Sequence, residues 1–172
     1  MELKNNMSDS VKKKIEELLI SGHIQENLEF ILKKIPEINN IIGFDQKHPH
    51  HHLDVWGHTL EALNNVECAD LEVRMAVLLH DIGKPFSYQD EEVRHFHGHA
   101  EVSAEMAKQI LKRLNYNEKF IDNVYYLIKM HDTIINPYNL DNSYEMIKKR
   151  LQVQYADAKA HAPGKIEKEY NY

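Results

Sequence analysis

Apolar residues recur every three or four positions along most of this chain, and the strict alternation typical of β-strands is absent. The spacing predicts a first helix that begins at Ser8 or Ser10 and ends at Ser21–Gly22, and a second from about Ile24 to Ile35. Residues 36–53 are rich in Asn, His, Gly and Pro, so we expect a loop there. The pattern favours an all-α protein.

The same spacing, together with capping residues, predicts further helices from residue 54 onwards. They are a helix capped by Asp54, a helix from Asp70 to His80–Asp81, a long helix over residues 100–114 after a polar loop at 86–97, a helix around Ile121 to Met130, and a last helix from Asn142 or Ser143 to about His161. Residues 71–82 are apolar in nearly every direction, which is typical of a buried helix. We expect one helical bundle, in which residues 1–35 are an N-terminal extension packed on the core, residues 36–165 the main domain and residues 166–172 a tail.

The composition is that of an ordinary globular domain, with 172 residues of which 42% are hydrophobic and 28% charged. No apolar run approaches the roughly 20 residues that a membrane span needs, and the polar N-terminus lacks a signal-peptide core. The single cysteine, Cys68, excludes an internal disulfide and fits the reducing cytoplasm, where we expect the protein. A net charge of −6 leaves RNA possible as a partner but does not favour it.

The most informative chemistry is an adjacent imidazole and carboxylate, His80 and Asp81, at the end of the helix predicted to be buried. An unpaired charge near a core is strongly disfavoured, so a divalent cation is the leading candidate for a partner. Four further ionisable residues lie on or beside apolar helix faces: His58, His99, His131 and Asp157. Each alone is more often a hydrogen-bonded structural residue than a ligand. One shared cation site would explain all of them, and imidazole with carboxylate suits Mn, Fe, Co, Ni or Zn.

The order of these residues follows a known pattern. His58, then His80–Asp81, then a distant Asp157 resembles the H…HD…D signature of the HD phosphohydrolase superfamily, and HDIGK at 80–84 resembles its extended HDIG form. The segments DVWGHTL at 54–60, FHGHAEVSA at 96–104 and YADA at 155–158 are similar to the HD region of bacterial CCA-adding tRNA nucleotidyltransferases. The glycine-rich strand motif with paired carboxylates that marks a nucleotidyltransferase head does not occur in the sequence.

This resemblance, over about residues 40–160, implies an all-α HD domain with a divalent metal bound between core helices. The ligands that it implies are His58, His80, Asp81 and Asp157, with His99 and His131 added for a second metal and Asp81 bridging the two ions. His97 is an alternative to His99, but His99 follows Gly98 as in the Gly-His motif of the family. The implied cofactors are one or two ions of Mn, Fe, Co, Ni, Mg or Zn.

The implied activity is metal-dependent hydrolysis of a phosphomonoester or phosphodiester, with a nucleotide as the small phosphorylated substrate. Bound metal lowers the pKa of water, and Asp81 could orient or deprotonate that water. Lys84 could neutralise phosphate charge, or complement the helix dipole as an ordinary helix-end lysine. Asp132 is a candidate general base, or a solvated carboxylate at a helix end. Arg94 and Arg150 could bind substrate phosphate, although surface salt bridges are the more common role.

Two other classes of function remain open from the sequence. The HD fold also includes di-iron oxygenases with similar ligand sets, which would require O₂ and release an oxidised product. A non-catalytic binding module could instead keep the metal for stability or to bind RNA ends. The intact ligand set and the acidic net charge count against this second alternative.

Overall fold

The computed structural model describes residues 2–138 and 143–161 of the chain. Seven α-helices lie in these residues: α1 (Glu2–Ser21), α2 (Leu28–Lys34), α3 (Val55–Asn64), α4 (Leu71–Leu79), α5 (His99–Arg113), α6 (Glu118–Lys129) and α7 (Tyr144–Lys159). Short 3₁₀ helices span Gln25–Asn27, Pro36–Asn40 and Lys84–Phe86. Within the described ranges there is no strand, only an isolated β-bridge between Gln89 and His95. The predicted all-α fold is therefore confirmed.

Three of the predicted helix starts carry the expected side-chain caps. Asp54 accepts a hydrogen bond from the backbone N–H of Gly57, and Asp70 accepts one from Val73. Ser143 accepts one from the N–H of Met146 and is the cap of α7; the alternative, Asn142, lies outside the described residues. Each cap pairs an N–H group that would otherwise lack a partner in the first turn.

Other boundaries differ from the prediction. Helix α1 begins at Glu2 rather than at Ser8 or Ser10, because a polar segment can extend an existing helix through backbone hydrogen bonds alone. The predicted loop at 36–53 contains the 3₁₀ helix Pro36–Asn40, whose first residue has a φ angle already suited to a helix. Helix α6 begins at Glu118, since Asn117 caps it one turn before Ile121.

Helix α4 is the centre of the bundle and contacts α1, α3, α5, α6 and α7. Met75, Ala76, Leu78 and Leu79 are inaccessible to solvent, as the apolar pattern of this helix predicts. Helix α1 packs on α4, and its Ile15 and Leu19 side chains are buried. In the part of the chain that the structure describes, no helix has the length and hydrophobicity that crossing a bilayer requires. The predicted tail at 166–172 lies outside the described residues.

Candidate metal centre

Asp81 lies at the centre of a buried cluster of carboxylates and imidazoles. It follows His80, the residue that ends α4, and both side chains are almost completely buried. Asp81 Oδ2 is 3.2 Å from His80 Nε2 and 3.6 Å from His58 Nε2. On α7, Asp157 places Oδ1 2.8 Å from His58 Nε2 and 3.4 Å from His80 Nε2. Helices α3, α4 and α7 thus bring the first four predicted ligands together.

The other oxygen of Asp81 faces a second pair of histidines. His99, the first residue of α5, has Nε2 3.3 Å from Asp81 Oδ1, and His131, just after α6, has Nε2 3.8 Å from the same oxygen. These two Nε2 atoms are 3.2 Å apart. Gly98 precedes His99 with a left-handed φ of 76° and turns the chain into α5. The five other predicted ligands therefore cluster around the carboxylate of Asp81, whose two oxygens face different histidines.

The ring orientations leave Nε2 directed into the cluster. The Nδ1 atoms of His80, His99 and His131 lie 2.7, 2.8 and 2.6 Å from the backbone carbonyl oxygen three residues earlier in each case. His58 Nδ1 lies 3.3 Å from the carbonyl oxygen of Ala160. Because a carbonyl oxygen can only accept, Nδ1 carries the proton in these rings. A histidine that donates through one nitrogen and leaves the other available is typical of metal ligands.

The donor set fits a divalent cation. Among the described residues, His80 Nε2 and both carboxylate oxygens of Asp81 are buried with no hydrogen-bond partner, although Asp81 Oδ2 forms an ion pair with Lys84. Buried polar atoms are rarely left in this state, so these three atoms require an explanation. Three sets of residues each offer one ligand atom within 4.8 Å of the others: His58, His80 and Asp81; His80, His131 and Asp157; and Asp81, His99 and His131. A bound cation would satisfy the atoms that lack a partner.

The electrostatics of the cluster also favour a cation. Burial works to raise the pKa of Asp81, but the charges of His80 and Lys84 hold that pKa well below its usual range. Burial opposes ionisation of Asp157 as well, yet hydrogen bonds from His58 and His80 keep its pKa low. Burial disfavours protonation of His80, but the two carboxylates outweigh burial and raise the pKa of His80 to about 10. Both carboxylates are therefore ionised at neutral pH.

A cavity of about 680 Å³ opens onto this cluster, a size typical of sites for small molecules. Seven predicted site residues line it: Asp81, Lys84, Arg94, His99, His131, Asp132 and Asp157. The cluster is thus buried on the side of the core and accessible to a small molecule on the other side.

Comparison with known protein families matches the HD domain to residues 50–162, which is most of the chain and includes all six clustered residues. The chain belongs to the HD domain family. The match begins just before α3 and ends just after α7, so it covers the elements that carry the predicted ligands.

Two of the curated relatives of this chain are named tRNA nucleotidyltransferases. The chain is 34% identical over 136 residues to the CC-adding tRNA nucleotidyltransferase of Thermus thermophilus, covering 72% of this chain and 31% of that protein. It is 40% identical over 104 residues to the A-adding tRNA nucleotidyltransferase of Deinococcus radiodurans, covering 56% and 24%. The chain therefore spans about a third or less of the length of these relatives. No solved structure gives a significant match.

Lys84, from the HDIGK segment, is buried beside the HD centre. Its Nζ lies 2.8 Å from Asp81 Oδ2 as an ion pair and donates a hydrogen bond of 2.7 Å to Gln46 Oε1. The ammonium group also lies 5.2 Å from the ring centroid of Phe96. Gln46 is completely buried and donates through Nε2 to the carbonyl oxygen of Leu53. Sequence analysis missed Gln46, because a glutamine within a polar segment carries no local signal of burial.

Arg94 lines the cavity of the HD domain, but much of its guanidinium group is already paired. Nε and Nη2 donate to the carboxylate of Asp90, and Nη1 donates to the carbonyl oxygen of Asp45. The group lies over the rings of Phe44 and Tyr88, at 4.9 and 4.5 Å from their centroids. Arg94 thus attaches the loop before α5 to the segment before α3, and its contact with substrate remains a prediction.

Arg150 is buried within α7 and is not among the described residues that line the cavity. Its Nη2 donates a hydrogen bond of 2.6 Å to the carbonyl oxygen of Thr133, in the segment after α6. This geometry places Arg150 behind the wall of the cavity, where it holds the chain next to His131. Binding of substrate by Arg150 likewise remains a prediction. Asp132, the candidate general base, is exposed and lines the cavity, and its role also remains a prediction.

The histidine-rich segment before α3 reaches the HD centre through His51. Its ring centroid is 5.2 Å from that of His58 and 4.6 Å from that of His161. Burial, together with the charge of Lys84, lowers the pKa of His51 to about 2, so this imidazole is neutral. Of the histidines at 50, 51 and 52, His51 is the one that lines the cavity in the described residues.

Proposed function

We propose that this HD domain is a divalent-metal-dependent phosphohydrolase that cleaves a phosphomonoester or phosphodiester of a nucleotide. The observation that supports it most strongly is the cluster of six side chains centred on Asp81, three of whose atoms are buried without a hydrogen-bond partner. Such a cluster at the base of an accessible cavity has the ligands of a metal centre and room for a substrate.

In this proposal His58, His80, Asp81 and Asp157 hold one metal, and His99 and His131 hold a second that shares Asp81. Asp81 Oδ2 lies near His58 and Asp81 Oδ1 lies near His99, which supports a carboxylate shared by two ions. When bound, the metal would activate water as a nucleophile and polarise a phosphoryl oxygen. The ligand chemistry suits Mn, Fe, Co, Ni or Zn, with Mg as a further candidate.

The side chains of the protein supply charge and proton transfer. Lys84 places a buried ammonium group beside Asp81, where it would stabilise negative charge on the phosphate. Asp132 lines the cavity directly after His131 and is the candidate general base. Asp81 would orient the attacking water. Arg94, at the side of the cavity, would bind a distal phosphate with N–H groups that its present partners leave available.

RNA is a less favoured substrate than a small nucleotide. The names of these relatives concern tRNA, but the match covers 31% and 24% of their lengths. The net charge of −6 provides no broad attraction for a polyanion. A cavity of about 680 Å³ suits a small phosphorylated molecule better than a helical nucleic acid.

The decisive experiment compares two neighbouring histidines in protein purified without a chelator. His99→Gln removes a member of the ligand set, whereas His97→Gln changes an exposed ring that stacks on His95. We expect about two metal equivalents in the wild type and in His97→Gln, and about one in His99→Gln. Release of phosphate or alcohol from a panel of nucleotides should require metal and proceed without O₂.

Two outcomes would contradict the proposal. Consumption of O₂ with an oxidised product would indicate an oxygenase. Full metal content without turnover of any phosphate ester would indicate a binding module.

A further inference from the structure

The cavity above the metal centre has an apolar part that the metal chemistry does not use. Ile134 and Ile135, after α6, and Leu151, on α7, line it together with Asp81 and Lys84. We name these three residues the apolar shelf. Ile134 is 89% exposed and Leu151 is 53% exposed, so neither contributes much to the core. Exposed apolar groups that adjoin one another at a cavity often mark a binding surface.

The rest of the cavity lining is chiefly polar. The cationic residues Lys84 and Arg94 belong to the segment between α4 and α5. The apolar shelf lies in the segment after α6 and on α7, which also contribute polar residues to the lining: Asp132, Thr133, Gln154 and Asp157. A ligand that filled this cavity would therefore meet cationic and hydrogen-bonding groups on one part of its surface and an apolar surface on another.

The apolar shelf is held in place although two of its side chains, those of Ile134 and Leu151, are exposed. Arg150 Nη2 and Gln154 Nε2 both donate to the carbonyl oxygen of Thr133, at 2.6 and 2.7 Å. Gln154 Nε2 also lies 3.2 Å from the carbonyl oxygen of Met130. These bonds attach the segment that carries Ile134 to the helix that carries Leu151. A surface organised before binding loses less entropy when a ligand arrives.

We propose that the apolar shelf binds the base of the nucleotide and makes the site selective for nucleoside phosphates over sugar phosphates. This inference rests on the proposed phosphohydrolase function. The face of a base is apolar and gains from burial against aliphatic side chains. A sugar phosphate would place hydroxyl groups there, and hydroxyl groups buried without hydrogen bonds lose free energy. The phosphate would lie towards Lys84 and the metal ligands.

The test replaces the apolar shelf and measures binding without relying on catalysis. The double variant Ile134→Ser/Leu151→Ser is compared with Ile20→Ser, which removes an isoleucine that is 42% exposed on α1 and does not line the cavity. Adenosine, cytidine and inorganic phosphate are titrated separately into each metal-loaded protein by calorimetry. We expect nucleoside affinity to fall about tenfold in the double variant, with phosphate affinity unchanged within about twofold. The Ile20→Ser protein should match the wild type for all three probes.

Hydrolysis assays then separate this inference from the proposed function. We expect kcat/KM for adenosine monophosphate to exceed that for ribose 5-phosphate in the wild type, and this preference to fall about tenfold in the double variant. Equal kcat/KM for the two esters would contradict the proposed role of the apolar shelf but would leave the phosphohydrolase proposal intact. A second outcome is that the double variant binds nucleosides more weakly than the wild type, but no ester is hydrolysed. This result would support the proposed role of the apolar shelf and contradict the phosphohydrolase proposal. Failure of the wild type to bind either nucleoside, or equal loss of nucleoside and phosphate binding, would overturn the shelf.

Discussion

Three imidazoles of the HD centre are oriented by the same local bond. His80, His99 and His131 each direct Nδ1 to a carbonyl oxygen three residues earlier, at 2.6–2.8 Å. The bond keeps the proton on Nδ1 and leaves Nε2 unprotonated when the ring is neutral. Each ring is thus oriented by a nearby backbone carbonyl group, and all three rings lie near the carboxylate of Asp81.

At the scale of single residues, we expect substitutions of Asp81 and Lys84 to differ in their effects on metal binding and on turnover. Asp81→Ala removes the carboxylate that lies within 4 Å of four imidazoles and should reduce metal content to below about a tenth of the wild-type value. Lys84→Met removes a cation 2.8 Å from that carboxylate, so metal should remain bound at least as tightly while turnover falls about 100-fold. Elemental analysis and phosphate release measure the two effects.

Normal metal content in Asp81→Ala would contradict the ligand assignment. Unchanged turnover in Lys84→Met would show that the lysine only balances the charge of Asp81 in the folded protein.

Between elements, the turn after α4 lies against α5 at Gly83. Its N–H donates a hydrogen bond of 2.9 Å to the buried Ser103 hydroxyl. A Cβ atom at Gly83 would lie 2.6 Å from the backbone nitrogen of Ser103 and 2.9 Å from Val102 Cγ1. The glycine of the HDIG segment is therefore required by close packing, and this packing brings the start of α5, with His99, up to Asp81.

We expect Gly83→Ala to lower the free energy of unfolding by about 2 kcal/mol, because the added methyl group has no space beside α5. It should also weaken the metal site that contains His99, since α5 must move away. Ser103→Ala is the control, because it removes the hydrogen bond without adding an atom and should leave metal content unchanged. Urea denaturation and metal analysis test both; full metal content in Gly83→Ala would contradict the packing argument.

A second contact between elements joins α7 to the start of α4. Lys149 Nζ pairs with Glu72, and lies 3.2 Å from Asp70, the residue that caps α4. Burial works to lower the pKa of Lys149, but its bonds to the two carboxylates outweigh burial and raise that pKa. A pKa raised by folding contributes stability that is fully present below the unfolded pKa of about 10.4 and is lost as the pH rises through the folded value.

We expect Lys149→Gln to lower the free energy of unfolding by about 1–2 kcal/mol at pH 8, and by progressively less above about pH 10.4. Lys148→Gln changes the adjacent exposed lysine and should have an effect within about 0.5 kcal/mol at every pH. Urea denaturation of the three proteins between pH 8 and pH 11.5 measures the differences. A Lys149 effect that does not change with pH would show that the loss came from packing and not from charge.

Across the whole molecule, the N-terminal helix shares the core with the HD domain. Helix α1 lies outside the matched residues 50–162, yet it packs on α4, and Arg74 of α4 donates to the carbonyl oxygen of Leu19. Leu19 is 1% exposed, while its neighbour Ile20 is 42% exposed. Helix α4, which His80 and Asp81 follow, is therefore covered on one side by a segment outside the family match.

We expect Leu19→Ala to lower the free energy of unfolding by about 2–4 kcal/mol, because it leaves a cavity against α4. Ile20→Ala, one position away, should cost less than about 1 kcal/mol, since that side chain is largely solvated. Both proteins should unfold in one transition. A separate early transition in Leu19→Ala would indicate that residues 1–35 fold apart from the rest.

The helical class, the buried α4 and the caps at Asp54 and Asp70 followed from the sequence by itself, because periodicity and capping act within about four residues. Between Asn142 and Ser143, the structure selects Ser143 as the cap of α7. A shared site for the predicted ligands was expected from their positions on or beside apolar helix faces and from the resemblance, but the contacts that bring them together depend on the packing of the helices. His58 and Asp157, for example, are 99 positions apart and meet because α3 and α7 pack together. Only the tertiary structure decided which long-range partners the arginines use and that Gln46 is buried against Lys84. A donor such as Arg150 has many possible acceptors in the sequence, and packing selects the carbonyl oxygen that it reaches.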